Sequence, residues 1–320
     1  QNYVRMIKVK WENNQIPEDI KLPSGWVFFC FKKEDLALWC GFTPNISQRL
    51  HNISRKAEQD ESFRTASLAA EYIEIEPYSR SVDALFHYKV FVQEYNPPFQ
   101  DTTAPWKEYV YLALDAYHFP FVSIQSDTNG DWTYAGPWRS RFFLMDIMDS
   151  ISRILKLPFC ETSYYPCDKL DKGICRGYCE ALDEEGEVED VEELNKLESL
   201  LWEAYLHPDN SILEMLTKEK EKYFNELEFE KEDLITSEVE NFAKYRDWLK
   251  FLYLTKTLSY QTEDFGVENG LLSWCKFKDK IYKFPVEPIN YRPNERLAIN
   301  LNKTDEARLL YEYYIQNYKG

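Results

Sequence analysis

The sequence predicts an α+β protein, and three observations carry that reading. Short β-rich apolar runs alternate with amphipathic helical stretches as far as residue 157, and a long charged helical block follows from about 190. The composition, 44% hydrophobic and 16% aromatic, is that of a globular chain. At 320 residues there is room for two or three domains. The expected order is a small β/α domain over 1–104, a linker with a cysteine cluster over 105–182, a helical hairpin over 183–260 and a small mixed α/β tail over 261–320.

The chain opens with a polar, mixed stretch, 1–21. "GWVFFCFKKEDLALWCGF" (25–42) follows, two β-rich runs around a charged turn, which is a hairpin signal. In "TPNISQRLHNISRKAEQD" Thr43 is the expected N-cap and Pro44 the first helical position, with Ile46, Leu50 and Ile53 on one face. "AEYIEIEPYS" alternates as a third strand. "SVDALFHYKVFVQEYNPPF" (81–99) has helical spacing and is stopped by Pro97-Pro98. Residues 107–125 read as further strands, with an Asn-Gly turn in "DTNGDW", and 139–157 as an amphipathic helix. The acidic run "DEEGEVEDVEE" (183–193) is a solvated linker or helix start, and strands at 271–284 with a closing helix complete the tail.

Charge and apolar content exclude several function classes. A net charge of −17 argues against a protein that is mainly a nucleic-acid binder, because phosphate affinity comes from Lys and Arg. No apolar stretch approaches the roughly 20 residues that cross a bilayer, and the start lacks the apolar core of a signal peptide. A cytoplasmic protein with no membrane contact is expected. The four histidines (His51, His87, His118, His207) are scattered, and no glycine loop for phosphate is present.

Four of seven cysteines fall within "CETSYYPCDKLDKGICRGYC" (160–179), spaced C-x6-C-x7-C-x3-C. In a reducing compartment such clusters hold metal more often than they form disulfides. Thiolates of Cys160, Cys167, Cys175 and Cys179 can close round a cluster or a tetrahedral ion, with the C-x3-C pair and Pro166-Cys167 providing tight local geometry. Cys30, Cys40 and Cys275 lie in apolar runs and read as small buried hydrophobes.

Taken in order, four segments resemble the N-terminal half of UvrC, the incision subunit of bacterial nucleotide excision repair, from about residue 22 to 260. "LPSGWVFF…ALWCGFTPNISQRL" sits where that family has its GIY-YIG nuclease signatures, and "WTYAGPWRS" (132–140) matches its Tyr-Phe-Gly-Pro-Tyr segment. The cysteines match in type and order, and "VENFAKYRDWL" (239–249) matches the UVR motif, the hairpin through which UvrC engages UvrB. An upstream "ELEFEKED" (226–233) resembles the first part of that motif. The resemblance implies a [4Fe-4S] cluster on the four cysteines, with zinc the alternative. It also implies a UvrB-like partner or other repair component, met through Val239, Phe242, Tyr245, Arg246 and Asp247. Phe242 and Tyr245 would be the apolar anchors. DNA contact is expected to be weak on charge grounds.

The same resemblance implies a degenerate nuclease domain. GIY-YIG chemistry needs tyrosines to handle the attacking water, an Arg on the scissile phosphate and a Glu on one divalent metal. The tyrosine positions are Val27 and Trp39, the lysine position is Phe42, and the metal-binding glutamate falls at Tyr88. Gly25, Gly41, Asn45 and Arg49 keep the family identity. A phenol with a pKa of about 10 is no substitute for a Mg²⁺-binding carboxylate. Glu94, six residues on, is turned to another side of the helix at about 100° per residue. The expectation is a catalytically degenerate, UvrC-like binding or adaptor protein of DNA repair. The alternative is a divergent metal-dependent endonuclease that keeps Arg49 as its phosphate clamp. The aromatic replacements would leave an apolar cleft suited to a protein partner, a base or a peptide, and the residues of the tail point to no particular function.

Overall fold

The structure, a computed structural model, describes residues 6–157, 160, 167–207, 210–286 and 296–318. These form two compact units: one from 6–105, 257–286 and 305–318, the other from 106–157, 160, 167–207, 210–256 and 296–304.

In the first unit, β1 (Ile7–Lys10) is a strand that the polar opening does not announce. β2 (Val27–Lys33) and β3 (Leu36–Thr43) form the expected hairpin. Glu34 takes the left-handed φ of +52° at its turn, and its carbonyl accepts from the Tyr72 hydroxyl. α1 (Ile46–Gln59) starts later than expected. Asn45, not Thr43, is the N-cap, its side chain accepting from the Gln48 N–H at 3.1 Å. Thr43 ends β3, and its hydroxyl accepts from the Asn45 N–H instead, so Pro44 precedes the helix. α2 (Glu61–Ala69) is capped by Asp60, and β4 (Tyr72–Pro77) lies between β1 and β2 in an antiparallel sheet ordered β1-β4-β2-β3. α3 (Ser81–Tyr95) ends at left-handed Asn96, just before the two prolines.

Alternation along the hairpin sorts its side chains. Val27, Phe29, Phe31 and Trp39 join Ile46, Leu50 and Ile53 of α1 in one core. Phe28, Cys30 and Cys40 face α3. Gly41 is required by packing: a Cβ there would lie 2.5 Å from Phe29 Cζ. The open edge of β3 is satisfied by Gln100, whose amide accepts from the Cys40 N–H and donates to its carbonyl, each at 2.9 Å.

In the second unit, β5 (Val110–Leu114), β6 (Val122–Gln125) and β7 (Thr133–Trp138) form an antiparallel sheet with β5 between β7 and β6. α4 (Arg141–Leu155) follows, capped by Ser140, and a single turn, α5 (Asp168–Asp171), lies within the cysteine segment. In the acidic run, Asp183 accepts from the Glu185 and Glu187 N–H groups, and Asp190 caps α6 (Val191–Leu201). A π-helical turn, Trp202–Leu206, extends α6. The hairpin proper is α7 (Asn210–Asn225) and α8 (Phe229–Leu254), reversed through Leu227 at φ +58°. It is therefore shorter than the 190–259 block suggests.

The tail divides between the units. β8 (Tyr260–Gln261), β9 (Phe265–Glu268), β10 (Leu271–Phe277) and β11 (Lys280–Lys283) form an antiparallel sheet in the first unit. β12 (Leu297–Ala298) pairs parallel with β7 in the second. α9 (Thr304–Tyr318) closes the chain. Phe265, Val267, Leu272, Leu309 and Leu310 from this tail form one core with Val82, Leu85, Phe86 and Val90 of α3. The tail thus covers the α3 side of the first unit.

Candidate functional site

The nuclease positions of the first unit divide between the two sides of its sheet. Val27 and Trp39 are buried in the α1 core, Trp39 stacked on Phe31 with centroids 4.0 Å apart. Arg49, half-buried on α1, lies 5.8 Å over the Phe29 ring on that same side. Phe42 and Tyr88 are together on the α3 side, rings 5.0 Å apart, packed against the core that the tail completes. Burial, then the Cys40 and Glu306 charges, push the Tyr88 phenol well above its ordinary value. Lys89, next along α3, pairs with Glu306 of α9 at 2.6 Å. The expected apolar cleft is therefore no open cleft at Phe42 and Tyr88, because the chain's own tail packs there. Glu94 accepts a hydrogen bond from Tyr282 of β11 at 3.1 Å.

A smaller cavity of about 250 Å³ opens between α3, β4 and the β10–β11 turn. His87 is at its floor, stacked on Phe28 at 3.6 Å, with Nδ1 2.9 Å from the Tyr78 hydroxyl. Burial, and then the Lys278 charge, lower His87 to about 3, so the ring is neutral. The Glu76 carboxylate 3.4 Å from Nδ1 is thus a polar neighbour and not an ion-pair partner.

In the second unit all four clustered cysteines are free thiols of intermediate exposure. The loop is tied to the end of α4: Arg176 donates from its backbone N–H to the Lys156 carbonyl at 3.0 Å and from Nε to the Leu155 carbonyl at 2.7 Å. Lys169 Nζ is 3.9 Å from Cys160 Sγ, and the Gly177 N–H donates to Cys175 Sγ at 3.2 Å. Gly177 has φ +74°, and a Cβ there would lie 2.8 Å from Leu170 Cδ1. Burial raises the Cys179 thiol, and Cys175, Cys167 and Cys160 raise it further; Cys160 is raised by burial and by Cys175 and Cys167 against the pull of Lys169. The four sulfurs are thus electrostatic neighbours. Among the described residues, no three His, Cys, Asp or Glu side chains converge closely enough to hold a metal ion. Pro166 lies outside the described residues.

The two remaining matched segments meet in the second unit. Trp138, from "WTYAGPWRS", stacks on Tyr245, from "VENFAKYRDWL", at 4.6 Å and 6°. Trp248 Nε1 donates to the Pro137 carbonyl at 2.9 Å, and the Tyr245 hydroxyl donates to the Tyr205 carbonyl at 2.6 Å. Phe242 and Tyr245 are both 0% exposed, which corrects their expected role as partner anchors. They hold the hairpin onto its own unit. Val239 and Arg246 are half-buried and Asp247 is exposed. Exposed apolar groups cluster instead at the hairpin tip, where Phe224, Leu227, Phe229 and Leu234 are 51–72% exposed and the two phenyl rings are 6.1 Å apart. The first three fall at the reversal itself, where turn geometry rather than periodicity decides exposure.

Collinear α+β architecture, a four-cysteine loop and a helical hairpin define the class of protein. The comparisons agree with it. The chain is 23% identical over 260 residues to the UvrABC system protein C of Vibrio vulnificus, covering 77% of this chain and 40% of that protein. It is 25% identical over 230 residues to the one of Ectopseudomonas mendocina (69% and 36%), and 28% identical over 174 residues to that of Pseudomonas fluorescens (52% and 28%). This is a UvrC-like protein. The chain spans well under half the length of these curated relatives. No family model and no solved structure matches it.

Proposed function

We propose that this chain is a UvrC-like binding protein of DNA repair, which docks a partner through its hairpin and does not incise DNA. The observation that carries this reading is at Tyr88. The position that resemblance assigns to the metal-binding glutamate is a phenol tilted against Phe42 under the chain's own tail, and the nearby Glu306 carboxylate is engaged by Lys89. Among the described residues, no three His, Cys, Asp or Glu side chains converge there to hold a hard cation.

Partner docking is assigned to the hairpin tip. Three exposed apolar side chains at a helical reversal, with exposed Leu234 further along α8, are more than a solvated turn needs, and such a patch marks an interaction surface. The partner proposed is a UvrB-like protein.

Cys160, Cys167, Cys175 and Cys179 would hold the [4Fe-4S] cluster. The donor chemistry fits. The Cys160 and Cys179 thiols, raised by burial and by the neighbouring cysteines, would ionise on binding a cationic group, and the Gly177 N–H already points at a sulfur. Anaerobically purified protein should contain about four irons and matching labile sulfide per chain. Cys175→Ser should lose them, and zinc in their place would reassign the ion.

The docking test is calorimetric titration of the full chain with the cognate UvrB-like protein. Leu227→Asp/Phe229→Asp, both at exposed positions, should weaken binding by about tenfold or more without lowering thermal stability. Wild-type affinity in that variant would rule the tip out as the docking surface.

A further inference from the structure

A cavity of about 830 Å³ in the second unit is lined by none of the clustered cysteines and by no hairpin-tip residue. One wall is a stripe of α8 carrying Arg246, Asp247, Lys250 and Tyr253, at helical spacings of three and four. The other walls bring Trp202 from the π-helical turn and Arg296 from just before β12.

Three features of this cavity point to one ligand chemistry. Among the described residues, its charged lining side chains are Arg246, Lys250 and Arg296 against Asp247, in a chain whose net charge is −17. Local positive potential is thus built against the overall field, which focuses an anion there. Two large aromatic side chains on the lining remain open to solvent, Trp202 at 40% and Tyr253 at 59% exposure, where core packing would have buried them. Finally, Trp202 is presented by a π-helical turn, a distortion that costs regular hydrogen bonding and recurs at functional sites.

We infer that this cavity binds a nucleotide, with its phosphate on the Arg246, Lys250 and Arg296 cations and its base stacked on Trp202 or Tyr253. Aromatic side chains beside cations are how proteins hold bases and their backbone without reading sequence. Size favours this ligand over a partner helix. One helical turn, about 10–12 Å across and 5.4 Å in pitch, fills roughly 500 Å³, so the cavity would take fewer than two turns. Its volume is that of a small-ligand site. The phosphate and base can come from a free nucleotide or from a single strand. The inference stands apart from the docking proposal, because no hairpin-tip residue lines the cavity.

The test uses the full chain and two probes at about 50 mM salt: fluorescein-labelled dA12 by anisotropy, and adenosine monophosphate by calorimetry. Binding of either probe is expected, weakening as salt rises. Lys250→Glu and Tyr253→Ser, both at exposed positions, should each reduce it about tenfold or more. Lys244→Glu, exposed on the same helix but outside the cavity, should leave it unchanged. Tighter binding of dA12 names the strand as the source, and comparable binding of the monophosphate names the free nucleotide. The inference is overturned if neither probe binds. It also fails if Lys244→Glu weakens binding as much as Lys250→Glu, or if a polyglutamate peptide displaces the probe with equal affinity, since charge alone would then explain it.

Discussion

Tyr88 occupies the turn of α3 where its ring can reach both Phe42 and the tail core, and that position sets what can be restored there. Tyr88→Glu would supply the missing carboxylate in the wrong surroundings. It would meet apolar rings and the nearby Glu306 charge, so it should destabilise the protein by about 1–3 kcal/mol and confer no metal-dependent cleavage. Denaturant unfolding alongside a nicking assay checks both halves, and Mg²⁺-dependent nicking by that variant would show a cleft still competent for chemistry. Tyr245 is a second position whose meaning depends on what covers it. Tyr245→Phe should cost about 1 kcal/mol through the lost hydrogen bond to the Tyr205 carbonyl. Tyr245→Ala should cost about 3–5 kcal/mol, because a stacked, fully buried ring is removed from against Trp138. A neutral Tyr245→Ala would mean that the ring does not hold the hairpin.

Among the elements, α3 carries a pH dependence through His87. The ring titrates near 6.5 when unfolded and at about 3 in the fold, where burial keeps it neutral. Between those values the unfolded chain binds a proton that the folded chain refuses. The contribution is therefore fully present above about 6.5 and is lost as pH falls towards 3, at up to about 1.4 kcal/mol per pH unit. His87→Gln should flatten this part of the stability curve between pH 7 and 4, as read by thermal unfolding. An unchanged slope in the variant would place the linkage elsewhere.

Elements also differ in how far their residues announce them. β2 and β3 are continuous β-rich apolar runs and β4 alternates, over six to eight residues each, and all three are legible as strands. β1 is four residues, "IKVK", within a polar stretch, and exists because β4 offers it an edge. β8 and β9 are short, and β9 carries Gly266 because Trp274 takes the space of its side chain. On α8 apolar residues occur all round the helix. Periodicity alone does not say that Phe242 and Tyr245 face Trp138 while Leu234 and Tyr253 face solvent. The cysteine spacing was legible because the four cysteines lie within one short segment. The exposed hairpin tip and the cationic cavity were not, because each is assembled by tertiary contacts.

At the scale of the whole molecule, the proposed function amounts to a scaffold kept and a chemistry replaced. Gly41 and Asn45 keep their family identities for reasons of packing and capping that need no catalysis. Phe42 and Tyr88, by contrast, serve a core that depends on the tail. The measurement that tests this most directly is an incision assay with anaerobically purified protein on lesion-bearing and branched DNA. It would be run with Mg²⁺ or Mn²⁺, alone and with cognate UvrA-like and UvrB-like proteins, beside Arg49→Ala. The account predicts no incision under any of these conditions, with the UvrB-like protein still bound. Metal-dependent incision that disappears in Arg49→Ala would contradict it, and would make the chain a nuclease with rebuilt ligands.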